Sequence, residues 1–196
     1  MSRPEPRCPW CGDDPLYVSY HDDEWGRPER DRNRLFEMLC LEGAQAGLSW
    51  ITVLRKRDGY RQAFHEFQPE RVSEMKESDV GRLMNDAGIV RNRLKIESVI
   101  GNARALLALE SGTQTYSEWL WSYVDNRPIV NTWQHMAQVP ASTPLSDRIA
   151  KDLKRRGFRF VGTTIVYAYL QAIGMVNDHL TSCRCHPDFA AGPAQS

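Results

Sequence analysis

Two pairs of candidate metal ligands at opposite ends of the chain constrain its fold more than any other feature. Cys8 and His21 lie near the start, His179 and Cys183 near the end. The four-residue spacing of His179 and Cys183 places both side chains on one face of a helix or turn, where both reach one ion. The first pair has the looser spacing of a loop. Together they form a Cys₂His₂ set, the closed tetrahedral complement of structural zinc rather than the open one of catalytic zinc. Such a site ties the termini together and brings the loop between Cys8 and His21 against a C-terminal helix. Cys11, Cys185 and His186 are competing donors, and Cys8-Pro-Trp-Cys11 also reads as a redox C-x-x-C. Cysteines and histidines also fill cores for packing alone. Five cysteines, an odd number with no signal peptide ahead of them, argue against disulfides and for a cytoplasmic, reducing location.

A chain of 196 residues with 41% hydrophobic composition buries a substantial core. The expected organisation is one domain over 1–186, or one domain with a small second lobe, followed by an Ala-, Gly- and Pro-rich loose tail over 187–196. No apolar run approaches the roughly 20 residues of a membrane span. The formal net charge is zero, so any contact with nucleic acid has to come from local patches.

Helical periodicity dominates. Leu35, Met38, Leu39 and Glu42 share one face and predict a helix over 31–42 with Asp31 as N-cap. Trp50, Ile51 and Leu54 predict another over 48–56, and the period continues over 58–66, 78–86, 92–110 and 115–124. Pro128, Pro140 and Pro144 mark an irregular connector between 124 and 145. Helices over 146–156 and 163–173 flank a break at Gly157. Nothing alternates with period two for long enough to predict a sheet, so the fold class is all-α.

Three elements carry chemistry. In Lys154-Arg-Arg-Gly157-Phe-Arg-Phe-Val-Gly162-Thr163-Thr164 a helix stops at one glycine, a hydrophobic hairpin turns, and a helix starts after the other with threonine caps. Backbone N–H groups at that second start attract phosphate without reading sequence. Lys151, Lys154, Arg155, Arg156 and Arg159 stand against one acid, Asp152, supplying the local charge that the overall balance hides. An ordinary helix–turn–helix with a solvated basic face has the same pattern. The second element is Glu42, on the apolar side of its helix where glycines follow; a carboxylate there is costly unless a positive or hydrogen-bonding group faces it. The third is the cluster Trp10, Tyr17, Tyr20 and Trp25, either core or the lining of a slot for a flat ring.

These residues fall within stretches that together resemble the bacterial 3-methyladenine DNA glycosylase I family. The stretches are Tyr20-His-Asp-Asp-Glu-Trp-Gly26, Leu35-Phe-Glu-Met38, Leu41-Glu-Gly43, Ala46-Gly-Leu-Ser-Trp-Ile-Thr-Val-Leu54, Asp86-Ala-Gly-Ile89, Gly101-Asn-Ala-Arg-Ala105, Arg156-Gly-Phe158, Phe160-Val-Gly-Thr-Thr164 and Val176-Asn-Asp-His179. They run in order over roughly 8–186. The resemblance implies an all-α helix–hairpin–helix glycosylase fold with a structural zinc ion on Cys8, His21, His179 and Cys183. It implies double-stranded DNA containing 3-methyladenine as substrate, and a monomer suits an enzyme that slides on DNA. Glu42 is the implied catalytic residue, with Trp50, Tyr20, Tyr17 and Trp10 around the base. DNA contacts fall on Gly47 and Leu48, the implied wedge, and on Gly157, Gly162 and Thr163. Cys11 lies outside the family's shared ligand pattern.

Two departures from the wider superfamily matter. Asn177 stands where many relatives carry a catalytic aspartate, and Thr164 stands where strand-cleaving relatives carry a lysine. Base excision without a lyase step is therefore expected. A 3-methylated adenine already carries positive charge, so flipping and selective binding replace acid catalysis. In that mechanism Glu42 accepts a hydrogen bond from the base and Trp50 stacks on the cationic ring. Two other readings compete. A non-catalytic zinc-stapled DNA-binding module has no need of Glu42, and a zinc hydrolase needs an open coordination position.

Overall fold

The computed structural model describes residues 6–189. Ten α-helices carry the described chain: α1 Pro15–Asp23, α2 Arg32–Gln45, α3 Trp50–Leu54, α4 Arg57–Ala63, α5 Pro69–Ser73, α6 Glu77–Leu83, α7 Arg93–Glu110, α8 Tyr116–Trp121, α9 Pro144–Arg155 and α10 Thr163–Ala172. α2 is the central element, buried from Leu35 to Ala44 and packed against α3, α7, α8 and α10. Its start is fixed as expected, with the Asp31 carboxylate accepting from the Arg34 N–H. Because α2 is enclosed from Leu35 to Ala44, a polar residue in that stretch, such as Glu37 or Glu42, points into protein or into a cavity.

The fold differs from the sequence reading in four places. The segment before His21 is a helix rather than a loop. Asp14 caps it by accepting from the Leu16 and Tyr17 N–H groups, and Pro15 occupies its first turn, a start signal that the loop reading passed over. Of the helix or turn expected for the final ligand pair, the turn is found, and no C-terminal helix carries it, because α10 ends at Ala172 and the chain reverses through Gly174 at φ +66°. The connector forms a two-residue parallel pairing, β1 Ile129–Val130 with β2 Val176–Asn177, too short to leave an alternation in sequence. The fourth is the short helix α5, whose five residues are too few to show a helical period. Of the expected tail, 187–189 are turn-like and the rest lies outside the described residues.

Two clusters of buried residues result. The main core runs through α2, α7, α8, α9 and α10. A satellite core gathers Cys8, Leu180 and Cys183, with Trp10, Trp133 and Cys185 against it. No helix among the described residues is long and apolar enough to cross a membrane.

Candidate active site and metal centre

A cavity of about 340 Å³ opens where α1, α2, α3 and α10 converge, within the size range of small-molecule sites. Glu42, 4% exposed, lines one side of it. Burial alone pushes its carboxyl up to about 8. Its Oε2 and the Trp50 Nε1 have no hydrogen-bond partner among the described residues. A buried acceptor and a buried donor left open on one cavity are costly to the empty protein and mark where a polar ligand edge binds.

Aromatic rings wall the space around Glu42. Trp10 lies 5.1 Å from Tyr17 and 4.9 Å from Trp25, and Tyr20 lies 5.3 Å from Trp50, centroid to centroid. All five residues expected around the base, Glu42, Trp50, Tyr20, Tyr17 and Trp10, line this one cavity. Trp25 joins them on the cavity wall while also packing against the main core. Of the opposite wall only Thr164 stood out in sequence, at the position of the strand-cleaving lysine. This wall comes from Thr164, Tyr167, Ala168 and Gln171 of α10, from Met136, Val139, Pro140 and Ala141 of the connector, and from Asp178. The 3-, 4- and 7-residue spacing of Thr164, Tyr167, Ala168 and Gln171 puts them on one face, a partly polar stripe on an otherwise apolar helix.

Asp178 supplies a carboxylate where none was expected. Its Oδ1 accepts from Asn131 Nδ2 and Trp133 Nε1, and its Oδ2 from Tyr167 Oη and Gln171 Nε2, at 2.5–2.8 Å. Four donors fill its lone pairs and hold the carboxylate in one orientation, bracing α10 against the connector. Asn177 is turned away from the cavity, accepting from the His179 N–H and reaching Gly26 O.

Cys8, His21, His179 and Cys183 converge behind the aromatic wall, all buried, with their ligand atoms within 4.8 Å of one another. The Cys183 Sγ lies 3.5 Å from both His21 Nε2 and His179 Nδ1, and Cys8 Sγ 3.6 Å from His179 Nδ1. The outer ring nitrogens are held too: His21 Nδ1 by Asp22 at 2.8 Å, His179 Nε2 by Trp25 O at 3.0 Å. The N–H groups of Leu180 and Cys185 donate to the Cys8 and Cys183 sulfurs. Two rival donors point elsewhere: Cys11 Sγ donates to Cys8 O, and His186 is engaged with Asn131 O and the Asp188 N–H. Cys185 stays outside the four-residue cluster but lies beside Asp22 and, with Asp22 and His21, forms a second group of three donors within 4.8 Å of one another. Gly26 is required here, because a Cβ on it would stand 3.0 Å from the His179 ring and its φ is +77°.

Cluster and cavity share a wall. The Trp10 ring lies 5.2 Å from His21, and the Trp25 ring 4.7 Å from His179.

The hairpin 157–162 links α9 to α10, with Gly157 at φ +90° and Phe160 at φ +54°. Thr163 does not cap α10 as expected: its hydroxyl donates to Asp147 and meets Ser146, and among the described residues no side chain caps this helix start. Of the five nearby cations, Arg155 pairs with Asp152 and Arg156 lies over the Trp119 ring. Lys151, Lys154 and Arg159 face solvent. On another edge, the turn after α2 presents Leu48, 39% exposed, behind Gly47 at φ +77°.

Fold and site together define a helical protein with an aromatic-walled, carboxylate-bearing cavity clasped by a buried Cys/His cluster. The chain belongs to the methyladenine glycosylase family, whose sequence profile matches residues 10–186. It is 54% identical over 181 residues to DNA-3-methyladenine glycosylase 1 of Escherichia coli, covering 92% of this chain and 97% of that one. It is 48% identical over 179 residues to DNA-3-methyladenine glycosylase of Haemophilus influenzae, covering 91% and 97%. A crystal structure of 3-methyladenine DNA glycosylase I superposes with a TM-score of 0.91 at 55% identity, covering 93% of this chain and all of that one. The Staphylococcus aureus enzyme, solved for 3-methyladenine recognition, superposes at 0.90 with 38% identity, covering 92% and 96%.

Proposed function

We propose that the protein is a DNA repair glycosylase that flips 3-methyladenine out of alkylated duplex DNA and hydrolyses its N-glycosidic bond without cutting the strand. The observation that carries this reading is Glu42, a buried carboxylate with an open oxygen beside the open Trp50 N–H, inside a ring of aromatics. A flat ring with a full positive charge satisfies all of these at once: the carboxylate, the donor and the π faces. Normal adenine brings no charge to offset ionising Glu42. Because the alkylated base is already a good leaving group, selective binding and extrusion do most of the catalytic work. Thr164 at the cavity edge, in place of a lysine, supports hydrolysis without a covalent enzyme–sugar step. Asp178, held by four donors, faces the same cavity and supplies a fixed negative charge for the sugar cation.

In this reading the four-ligand cluster holds one structural zinc ion. Tetrahedral zinc with ordinary Zn–S and Zn–N bonds places sulfur and nitrogen about 3.6 Å apart, close to the separations of 3.5 and 3.6 Å found here. Four protein donors leave no open position, which disfavours a zinc hydrolase. Residues 1–186 act as a single monomeric domain of helix–hairpin–helix type. Its hairpin, with Gly157, Gly162 and Thr163, grips the DNA backbone, aided by Lys151, Lys154 and Arg159.

Incubating the protein with methylated duplex DNA and identifying the released base tests the assignment; DNA binding with no base release would favour the non-catalytic module. Gly47 and Leu48 act as the wedge in the gap left by the flipped base. Leu48→Ala is expected to lower excision from duplex DNA by roughly tenfold, through lost support for unstacking. Binding of free 3-methyladenine, followed by tryptophan fluorescence, should stay as it is. Equal losses in both would remove Leu48 from the wedge.

A further inference from the structure

We propose that α7 is a spacing bracket whose Lys95 and Asn102 hold the Gly47–Leu48 turn and the 157–162 hairpin at a fixed separation. The inference rests on the DNA-binding roles just assigned to those two elements. Lys95 and Asn102 are seven residues apart, so they share one face of α7, two turns or about 10 Å along its axis. Both are buried, at 9% and 2% exposure, although both are polar.

Each makes a two-pronged grip on main chain. The Lys95 ammonium donates to Ala44 O at 2.8 Å and Ala46 O at 2.6 Å, the carbonyls at the end of α2 that lead into Gly47 and Leu48. Lysine is suited to this place, since it completes bonds a helix terminus cannot make internally and opposes the negative end of the dipole. Asn102 donates from Nδ2 to Arg159 O at 3.1 Å and accepts from the Arg159 N–H at 2.8 Å. The amide thus pairs both polar groups of one residue in the hairpin, as a neighbouring strand would. The next residue, Phe160, has φ +54°, a costly conformation for an aromatic that persists only where its surroundings impose it.

A third contact closes the triangle. A Cβ on Gly43 would meet Phe160 Cβ at 3.1 Å, so the hairpin rests on α2 one residue from Glu42. The bracket itself is stiff, for α7 runs 18 residues and buries Ile96, Val99, Ile100, Ala103 and Leu106 along the same region. Wedge, phosphate grip and base-binding acid are therefore registered to one another through α7. A flipped nucleotide needs all three at once, whereas a free base needs only the cavity.

The test uses that difference. Lys95→Met and Asn102→Leu are prepared in the full chain, singly and together. Single-turnover release of 3-methyladenine from methylated duplex is compared with binding of the free base. Each single variant is expected to lose on the order of 100-fold in excision, the scale of an ångström-sized misplacement, with free-base Kd changed by less than about threefold. The double variant should lose little more than either single one, since one rigid spacing is broken by one loss. If an apolar variant does not fold, Lys95→Arg and Asn102→Asp carry the same comparison, as each keeps part of the bonding. Excision at the wild-type rate, or a fall in free-base binding parallel to excision, overturns the bracket. Failure of the wild-type protein to release the base would instead sink the functional reading.

Discussion

Glu42→Gln is expected to lower excision of 3-methyladenine by about 10²–10³, the usual cost of removing one preorganised electrostatic contact, while undamaged duplex binds as before. The substitution keeps size and hydrogen bonding but removes the charge that the cationic ring seeks. Free-base binding should weaken as well, and it can be measured apart from the DNA. The pH profile gives a second signature. The Glu42 carboxyl stands at about 8 in the unliganded protein, so below that pH a fixed cation must displace a proton to bind. Wild-type kcat/KM on methylated DNA should rise toward pH 8 and then level, by at most about tenfold per unit. The glutamine variant should lack this limb.

Stability should move the opposite way with pH. The folded chain keeps the Glu42 proton between the ordinary value of 4.5 and about 8, where the unfolded chain releases it. Wild-type stability therefore falls as pH rises through that window. The glutamine variant is free of this loss, and its thermal melting advantage should grow from the acid end to the alkaline end. An unchanged excision rate and an unchanged pH profile would take Glu42 out of the mechanism.

His179→Ala is expected to lower metal content well below one ion per chain and to lower Tm by about 10–20 °C, a loss of roughly 5 kcal/mol in a chain of this size. The cluster joins the segment before α1 to the turns after β2, so its loss frees both ends. It also lies directly behind the cavity: Trp25 rests on His179 and Trp10 on His21. Free-base binding should weaken in the variant even at temperatures where it remains folded. Elemental analysis and melting curves decide the matter. Zinc that stays stoichiometric would show that the ligand set is wrong, whereas loss of zinc with no effect on binding would uncouple the clasp from the cavity.

Much of the site was legible because its chemistry requires particular residue types. Cysteine and histidine at a four-residue spacing, a carboxylate on the apolar face of α2 and tryptophans in a short polar segment all stand out before folding is considered. Apart from Thr164, the far wall did not stand out. Tyr167, Ala168 and Gln171 are ordinary residues whose place on the wall comes from α10 crossing the cavity, and Met136–Ala141 have no periodicity to read. Trp25 was ambiguous for the same reason, since an aromatic side chain suits a core and a binding wall equally.

The sequence by itself determined the helical class, the start of α2 at Asp31 and the candidate groups that the structure gathers on the cavity and in the Cys/His cluster, because those depend on local periodicity and side-chain chemistry. Only the tertiary structure decided which cysteines face the cluster, that Asp178 is saturated by four donors, and that Lys95 and Asn102 grip main chain on two distant elements. Those properties depend on distances between residues far apart in sequence, and local chain statistics carry no record of such distances.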